Sequence, residues 1–506
     1  MPFKNSLKKE VFFPPFIFLL IATAYSVIDQ DGFLESAKSI NNWILQHFDW
    51  LFSWSTFLFL LLLIFIYFSP LAKIRIGGKD AKPILTKWKW FAITLCTTVA
   101  TGILFWGSAE PLFHLHQPPL GGGAASAEAK EFAMSTMFMH WTFTPYGIYT
   151  TAALLFALTY YNMKQPFSLA SLLYPLIGKR AYGGIGVATD VICLFALVAG
   201  MAASLGTGIL TLSGGLHKVF GLTESNFLTA IIALTIVCVF IASAASGLQK
   251  GIRLLSDINI RAFFVIAGFV LIFGPTMDML KTGGIGLLDY FQNFFQRSTG
   301  IGSDIPDSWS HSWTVFYWAN WMAWTPITAL FLGRLGVGYT VRDFIHFNLV
   351  FPSIFGGFWM VIFSGAAMNL DLGGTEFPLY EILQAQGEQN VIFELFSKLP
   401  LSNIISMFFV LTIFISYVTA ADSNTSAMSG ISAKGINPEN PEAPLLIKIA
   451  WGLMIGIVSY IMISFAGVDG IRMTSNLGGF PALFLVIFVA IGLVRMLLRR
   501  EEMLGE

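Results

Sequence analysis

Charged residues and cysteines are scarce in this sequence, and each shortage excludes a class of protein. Only 11% of the 506 residues are Asp, Glu, Lys or Arg, about half of the share that is usual in a soluble domain. The composition therefore excludes an ordinary soluble protein. The 29 basic and 29 acidic residues balance each other, so the net charge gives no reason to expect a nucleic acid as partner.

The three cysteines, Cys96, Cys193 and Cys238, lie in separate apolar segments at different depths. This placement excludes a disulfide framework and a cysteine-based zinc cluster. The sequence also lacks a His/Cys cluster at metal-ligand spacing, a phosphate-binding Walker loop and a nucleophile with an ordered base. We therefore predict that the protein is not an enzyme.

Apolar residues are abundant, at 55% of the chain. A helix that crosses a bilayer needs about 20 mostly apolar residues. Twelve segments fit this requirement: residues 11–28, 50–69, 90–107, 133–161, 184–212, 227–246, 258–274, 313–333, 347–368, 402–422, 445–466 and 479–498. The sequence thus predicts an all-α integral membrane protein with twelve transmembrane helices.

The distribution of basic residues predicts the orientation of these spans. If the N-terminus is cytoplasmic, most of the 29 Lys and Arg residues fall in cytoplasmic loops, with a dense cluster between Lys73 and Lys89. Cytoplasmic loops of membrane proteins carry such an excess. We therefore predict that both termini are cytoplasmic and that the number of spans is even.

The arrangement of the spans favours two unique helices followed by two five-helix repeats. The loop GLQKGIRLLSD after span six is too short for a long connector between two six-helix halves. Irregular sequence opens each proposed repeat, with TTVATG in span three and Pro326 in span eight, and interrupted helices at matching positions indicate a midplane site. We predict five units. Residues 1–88 form the N-terminal tail and two helices, and residues 89–276 form the first repeat. An extracellular connector (277–312), the second repeat (313–498) and a short cytoplasmic tail (499–506) follow. Two outer segments, residues 287–296 and 377–398, have helical apolar spacing and predict surface helices.

Two aromatic clusters lie inside the predicted spans. In WTVFYWANWMAWTP of span eight, a spacing of 100° per residue places these side chains on one stripe, with Asn320 at its edge: Tyr317, Trp321, Trp324, Thr328 and Phe331. In HWTFTPYGIY of span four, Trp141, Tyr146 and Tyr149 surround Pro145, which bends a helix and lets the rings converge. Other tryptophans lie at span ends and are predicted to anchor the helices at the headgroups: Trp50, Trp54, Trp88, Trp90 and Trp313.

Several rings without a nearby carboxylate suit a methylated quaternary or tertiary ammonium ion. Such an ion has few N–H groups and a diffuse charge, and aromatic faces bind it through cation–π contacts of about 0.5–1 kcal/mol each when wet and more when dry. A passive channel for methylated amines remains an alternative to a carrier.

Ionisable residues inside a membrane are costly and often mark a pathway. Six lie in or near predicted spans: Glu110, His140, Asp190, Asp257, Arg261 and Asp422. Asp257 and Arg261 are four residues apart and are predicted to pair on one helix face. His140 is interpreted as a hydrogen-bonded scaffold residue. Gly200, Ser204 and Gly208 form a row of small residues that predicts close helix packing.

The motifs WTVFYWANW, WTPITALFLGR, HWTFTPYGIY, LFWGSAEPLFHL, GLQKGIRLLSD and VTAADS occur in this order along the chain. Together they resemble the betaine/choline/carnitine transporter family. The resemblance implies twelve spans with a LeuT-like five-plus-five inverted repeat, homotrimers in a bacterial-type inner membrane, and secondary active import of a methylated ammonium compound by alternating access. Import would be driven by sodium symport or by substrate exchange.

Carried over by position, the family's substrate box comprises Trp141, Tyr146, Tyr149 and Trp321, with Trp324 towards the cytoplasmic exit. Tyr146 stands where the family usually has Trp, and Asn320 stands where a second consecutive Trp is common. Either difference changes the size of the site, so we predict that Asn320 contributes to substrate binding. The predicted substrate is a methylated ammonium compound of the betaine, choline and carnitine class, or a smaller methylated amine such as trimethylamine.

No cofactor is predicted apart from Na⁺ as a coupling ion. The family's sodium position corresponds to the backbone carbonyls of Cys96 and Val99 and the hydroxyl of Thr419. Ala420 replaces a second hydroxyl, for which Ser416 is predicted to compensate. Sodium-independent exchangers of the family place an arginine from span seven at this position, where the present chain has Asn259. The resemblance therefore predicts sodium symport, with sodium-independent exchange as the alternative.

Overall fold

The computed structural model describes residues 7–99, 102–245, 249–374, 378–436 and 443–504, apart from the side chains of residues 96, 97, 99, 244–245, 249–257 and 423. The longer helices are α1 Lys9–Ile28, α2 Gln30–Phe68, α3 Lys87–Val99, α4 Gly102–His116, α5 Ala127–Trp141, α6 Phe143–Ala157, α7 Gly184–Phe220, α8 Asn226–Ala245, α9 Gln249–Phe273, α10 Thr276–Gln292, α11 Phe316–Leu335, α12 Phe351–Leu372, α13 Leu379–Gln386, α14 Glu388–Ser397, α15 Ser402–Ser432 and α16 Leu445–Leu498. Short helical turns connect them at Pro70–Lys73, Leu158–Asn162, Leu169–Leu173, Tyr174–Ile177, Gly178–Tyr182, Phe294–Thr299, Asp307–Ser310, His311–Val315, Val341–Ile345, His346–Val350 and Arg500–Leu504. Extended pairing in the described ranges is limited to two isolated bridges, Leu7 with Ala433 and Arg75 with Thr340.

Within these ranges, seven helices are long and apolar enough to cross a membrane, or eight if the bent pair α9 and α10 forms one span. The count is below twelve for several reasons. Predicted span three is described as helices of 13 and 15 residues on either side of the undescribed residues 100–101, span four is divided into two helices of 15 residues, and α11 of span eight is not among the counted helices. Predicted spans eleven and twelve lie in α16, which is counted once although Gly467 has a non-helical backbone (φ 54°, ψ −132°). The twelve-span topology and the repeat remain predictions.

Several helices extend well beyond the predicted spans. Helix α2 begins at Gln30, twenty residues before the predicted start, because its polar first half QDGFLESAKSINN continues the helix outside any apolar window. The two predicted surface helices are wrong in their bounds. The first is split between the end of α10 and the turn Phe294–Thr299. The second is divided into α13 and α14 by Gly387, whose φ of +87° ends a helix, and Phe377 lies outside the described residues.

Helix α11 lies at the centre of the bundle, where it packs against α6, α7 and α16. Glycine permits the closest of these crossings. A Cβ on Gly479 of α16 would lie 2.2 Å from the carbonyl oxygen of Ala319, and one on Gly200 of α7 would lie 3.2 Å from the Cβ of Ala323. Gly208 faces the ring of Tyr417 in the same way. The two glycines of the predicted small-residue row therefore serve close packing, as expected.

Candidate substrate cavity

A cavity of about 70 Å³ lies among the central helices, next to α11. Fifteen residues line it: Thr98, Gly102, Trp106, Trp141, Tyr149, Ala203, Ser204, Thr207, Phe316, Asn320, Trp321, Trp324, Ala420, Asn424 and Ile471. Five of the six residues predicted to bind substrate are on its wall.

Trp321 is the central ring of this wall. Its ring centroid lies 6.0 Å from that of Trp141, 5.5 Å from that of Tyr146 and 4.9 Å from that of Tyr149. Among the described residues, Tyr146 stands behind Trp321 rather than on the cavity wall, and only 1% of it is exposed. The four rings of the predicted box thus lie close together, and their role in substrate binding stays a prediction.

An interruption of the helix positions the aromatic rings of span four. Helix α5 ends at Trp141, Thr142 has a non-helical backbone (φ −121°, ψ −120°), and α6 begins at Phe143. Pro145 has no N–H, so it cannot hydrogen-bond to the carbonyl of Trp141 four residues earlier. Gly356 of α12 approaches this carbonyl so closely that a Cβ would lie 2.5 Å from the oxygen. The expected bend is thus a break three residues before the proline, with Trp141 and Tyr149 on either side.

The opposite side of the wall is formed by Asn320 and Trp324. The Oδ1 atom of Asn320 accepts a hydrogen bond of 3.2 Å from the hydroxyl of Ser475 on α16. The ring of Trp324 lies beside Gly200, where a Cβ would be 3.3 Å from its Nε1 atom. Helix α11 continues through Pro326, so the predicted irregularity at this proline does not interrupt the helix.

Trp321 also presents an unused donor. Its Nε1 atom is buried and has no hydrogen-bond partner among the described residues. An unpaired buried N–H costs about 1–3 kcal/mol. A ligand oxygen that accepts from this atom would remove the cost.

A buried carboxylate lies directly behind the box, contrary to the expectation that the rings have no carboxylate nearby. Glu110 Oε2 accepts hydrogen bonds from Trp141 Nε1 at 3.0 Å and from the hydroxyl of Tyr317 at 2.5 Å. Its Oε1 atom lies 2.6 Å from His140 Nδ1 and 3.3 Å from His114 Nε2. Glu110 is tolerated in the interior because it is fully hydrogen-bonded. We call Glu110, His114 and His140 the Glu–His cluster.

The Glu–His cluster corrects the sequence prediction of no clustered histidines. One ligand-type atom from each of its residues lies within 4.8 Å of the other two. His140 remains a hydrogen-bonded residue, as interpreted, yet it belongs to a titratable group that touches the box. The signal in the sequence was the i,i+4 spacing of Glu110 and His114, together with His140 immediately before Trp141.

The residues of the predicted ion site differ in how they are paired. The hydroxyl of Ser416 lies 3.0 Å from Asn259 Oδ1 and accepts from Asn259 Nδ2 at 2.8 Å. The hydroxyl of Thr419 donates to the backbone carbonyls of Ile415 and Ser416 at 2.8 and 3.0 Å. The structure does not describe the side chains of Cys96 and Val99, nor the neighbouring residues 100–101. The ion site therefore stays a prediction.

Two predictions about tryptophans at span ends are wrong. Trp313 is 6% exposed, since it packs on Trp106 and Phe113 of α4 and lies under Arg472. Trp90 is fully buried and stacks on Phe347 at 4.7 Å. Trp50 and Trp88 are exposed, at 58% and 66%, which fits headgroup anchors.

The other embedded ionisable residues lie away from the cavity wall. Asp190 is 4.0 Å from Lys8, and Asp422 accepts a hydrogen bond from Ser243 at 3.0 Å. The structure does not describe the side chain of Asp257, so its pairing with Arg261 stays a prediction.

Comparison with known proteins identifies the family to which the chain belongs. The chain matches the profile of the betaine/carnitine/choline family of transporters over residues 10–502. It is 30% identical over 504 residues to an ectoine/hydroxyectoine transporter of Virgibacillus pantothenticus, covering 99% of this chain and 98% of that protein.

It is 29% identical to a glycine betaine transporter of Bacillus subtilis, over 95% of this chain and 93% of that protein. It is also 28% identical to an osmo-dependent choline transporter of Acinetobacter baylyi, over 98% and 72% of the two chains. These relatives are transporters and not enzymes. The apolar helices and the match over nearly the whole length lead to one conclusion: the chain is a multi-pass membrane protein of the betaine/carnitine/choline transporter family.

Proposed function

We propose that the protein is a secondary active transporter that imports a methylated ammonium compound by alternating access. The observation that carries the proposal is the position of Trp321 on the cavity wall, with Trp141 and Tyr149 beside it. Each desolvated ring contributes about 2 kcal/mol to binding of an organic cation. Two or three rings would therefore hold such a cation at concentrations of about tens of micromolar to about a millimolar.

Two observations bear on the substrate within this class. The cavity of about 70 Å³ favours a compact head such as trimethylamine. The unpaired Nε1 of Trp321 favours a ligand that also carries an acceptor, such as the carboxylate of glycine betaine. The relatives are named for ectoine, glycine betaine and choline. We retain the methylated ammonium class, with the smaller amine as the version that the cavity favours.

Sodium coupling is the driving mechanism that we propose. The single proton of the Thr419 hydroxyl is directed to backbone carbonyls, so its lone pairs remain available to a hard cation. The carbonyls of Cys96 and Val99, at the end of α3, would complete the ligands. The alternatives are sodium-independent exchange and a passive channel. Family resemblance supports the homotrimer, the twelve spans and cytoplasmic termini.

Uptake into proteoliposomes tests this function. Radiolabelled trimethylamine, glycine betaine, choline, carnitine and ectoine are compared with an inward sodium gradient, with equal sodium on both sides, and with substrate preloaded inside. We expect saturable uptake above the external concentration of a methylated ammonium compound, only with the gradient. Uptake that merely equilibrates would support a channel, and uptake that requires preloading would support an exchanger.

The variant Trp321→Phe distinguishes a small amine such as trimethylamine from a substrate with a carboxylate such as glycine betaine. It removes the indole N–H and keeps an aromatic face, so glycine betaine should lose more affinity than trimethylamine if its carboxylate accepts from Nε1. Trp90→Phe is the matched control, because Trp90 is equally buried and its Nε1 also lacks a partner among the described residues. Equal losses for both ligands would rule out the carboxylate contact.

A further inference from the structure

The Glu–His cluster contains more titratable groups than a purely aromatic cation site requires. Glu110, His114 and His140 are all fully buried. The two imidazoles approach the same carboxylate oxygen, at 2.6 and 3.3 Å. A hydrogen-bonded scaffold for Trp141 would need the carboxylate alone. The two histidines add places for exchangeable protons immediately behind the cavity.

His140 can carry one proton or two without losing a hydrogen bond. Its Nδ1 faces Glu110, and its Nε2 lies 3.0 Å from the hydroxyl of Thr314. A threonine hydroxyl can donate to the neutral imidazole or accept from the charged one. Rotation of one hydroxyl therefore accommodates the added proton, and no buried polar atom is left without a partner.

The charge of Glu110 reaches the cavity through Trp141. The indole donates its N–H to Glu110 at 3.0 Å, while its ring lines the cavity. Hydrogen bonds in a low-dielectric interior polarise their donors. An indole bonded to an anion presents a more negative face, which attracts a cation more strongly. Tyr317, which stacks on His140 at 4.5 Å, shares the same carboxylate oxygen.

Arg472 of α16 is a charged group outside the cluster that acts on it, through an electrostatic interaction with His114, and acidic groups lie close to this arginine. Arg472 of α16 lies over the rings of Trp313 and Trp106, at 4.4 and 5.7 Å, and is 3.4 Å from Asp469. Glu388 of α14 interacts with this same arginine. The neighbouring turn of α4 carries His116, which pairs with Asp371 of α12 at 2.6 Å. Tyr317 is the group from α11. A negative Glu110 is thus compensated either by a proton on one histidine or by a cation in the cavity.

We propose that Glu110, His114 and His140 form a proton-binding site whose protonation weakens binding of a cationic substrate in the aromatic cavity. This inference rests on the proposed function, since it requires a cationic substrate at Trp141 and Trp321. Coupling between two ligands is reciprocal, so the substrate must release a proton from the cluster when it binds.

The test measures protons and substrate together. The purified full-length protein in detergent is titrated with choline, which carries a permanent charge, in weakly buffered solution with a pH-indicator dye. Isothermal titration calorimetry in two buffers of different ionisation enthalpy gives the same quantity independently. We expect release of up to one proton per choline bound. The affinity should fall by up to about tenfold for each pH unit on the acidic side of the transition.

Variants assign the proton to the cluster. Glu110→Gln should abolish proton release and leave a weak, pH-independent affinity. His116→Gln is the matched control, because it removes an imidazole two residues after His114 on α4 that pairs with Asp371 instead. His140→Gln and Thr314→Val, checked for folding by size-exclusion chromatography, serve if Glu110→Gln does not fold. Proton release unchanged in both of these variants would overturn the proposal.

Failure of this inference is distinguishable from failure of the proposed function. Choline binding without proton release from roughly pH 5 to 9, the range in which histidine clusters titrate, would overturn the inference and leave the transport function intact. Absence of binding of choline, glycine betaine and trimethylamine at every pH would overturn the proposed function, and the inference with it.

Discussion

The aromatic cavity and the two hydroxyls of α15, Ser416 and Thr419, lie in the same helical bundle, but their polar groups are hydrogen-bonded differently. On the cavity wall, the Nε1 atom of Trp321 has no partner among the described residues. On α15, the hydroxyl of Ser416 accepts a hydrogen bond of 2.8 Å from Asn259 Nδ2 and donates to the carbonyl of Thr412 at 2.8 Å. A buried donor without a partner is available to a ligand acceptor, whereas polar atoms that already pair suit a scaffold.

The same contrast separates the two hydroxyls of the predicted ion site. Ser416 both donates to and accepts from protein groups. Within the described part of the chain, Thr419 only donates, to carbonyls of its own helix. Because sodium binds lone pairs and not protons, Thr419 is the better ligand of the two. The hydrogen bonds of Ser416 favour a structural role, and the compensating role expected from the sequence stays a prediction.

Replacement of the central ring should produce the largest effect. Trp321→Ala removes a face that contributes about 2 kcal/mol when desolvated, together with its contacts to Trp141 and Tyr149. We expect the affinity for the transported ammonium compound to fall by about 30-fold or more, measured by calorimetry on detergent-purified protein.

The control for this prediction is Trp90→Ala, which removes the same side chain from a buried position that does not line the cavity. It should lower the melting temperature and leave the affinity of the folded fraction unchanged. A similar loss of affinity in both variants would mean that Trp321 acts through stability and not through contact with the ligand.

Replacement of the candidate sodium ligand should have the next largest effect. Thr419→Val keeps the shape of the side chain and removes its oxygen. We expect the sodium concentration for half-maximal uptake to rise about tenfold, the cost of one lost coordinating or charge-assisted contact of roughly 1.4 kcal/mol. Substrate affinity at saturating sodium should stay near wild type. Unaltered sodium dependence in proteoliposomes would remove Thr419 from the ion site.

Ser416→Ala should affect stability instead of coupling. The variant leaves one hydrogen-bonding atom of the buried Asn259 amide without its partner, which costs about 1–3 kcal/mol. We expect a melting temperature lower by a few degrees and an unchanged sodium dependence. A shift in sodium dependence as large as that of Thr419→Val would place Ser416 among the ion ligands and would contradict the contrast drawn above.

Much of the cavity could be predicted because its residues lie close together in sequence. Helical spacing places Trp321 and Trp324 on one stripe, and Pro145 indicates where the rings of span four turn towards it. The same reasoning placed Tyr146 on the wall, although it supports Trp321 from behind. Whether a ring faces the ligand or its neighbour depends on a rotation of a few tens of degrees, which residue spacing does not determine.

The carboxylate behind the box could not be predicted from the chain alone. Its partners come from three helices, with Glu110 and His114 on α4, His140 on α5 and Tyr317 on α11. Burial of a lone carboxylate is costly, so the sequence argued against it. Only the packing of these helices provides the four hydrogen bonds that make it acceptable. Helix ends were missed for a related reason, since hydropathy detects the apolar part of a helix such as α2 and not its polar extension.

The smallest effect is expected at Asn320, where selectivity should change more than affinity. Asn320→Ala shortens one side chain of the wall, and Ser475 retains its hydrogen bond of 2.9 Å to the carbonyl of Ile471, so stability should be nearly unaffected. The enlarged cavity should favour glycine betaine over trimethylamine by about threefold, or roughly 0.6 kcal/mol, in competition uptake. Ser475→Ala, which removes the partner of Asn320 without enlarging the wall, is the matched control. If both variants keep the wild-type preference, the size of the cavity at Asn320 does not select the substrate, and the amide at this position is a helix-packing contact between α11 and α16.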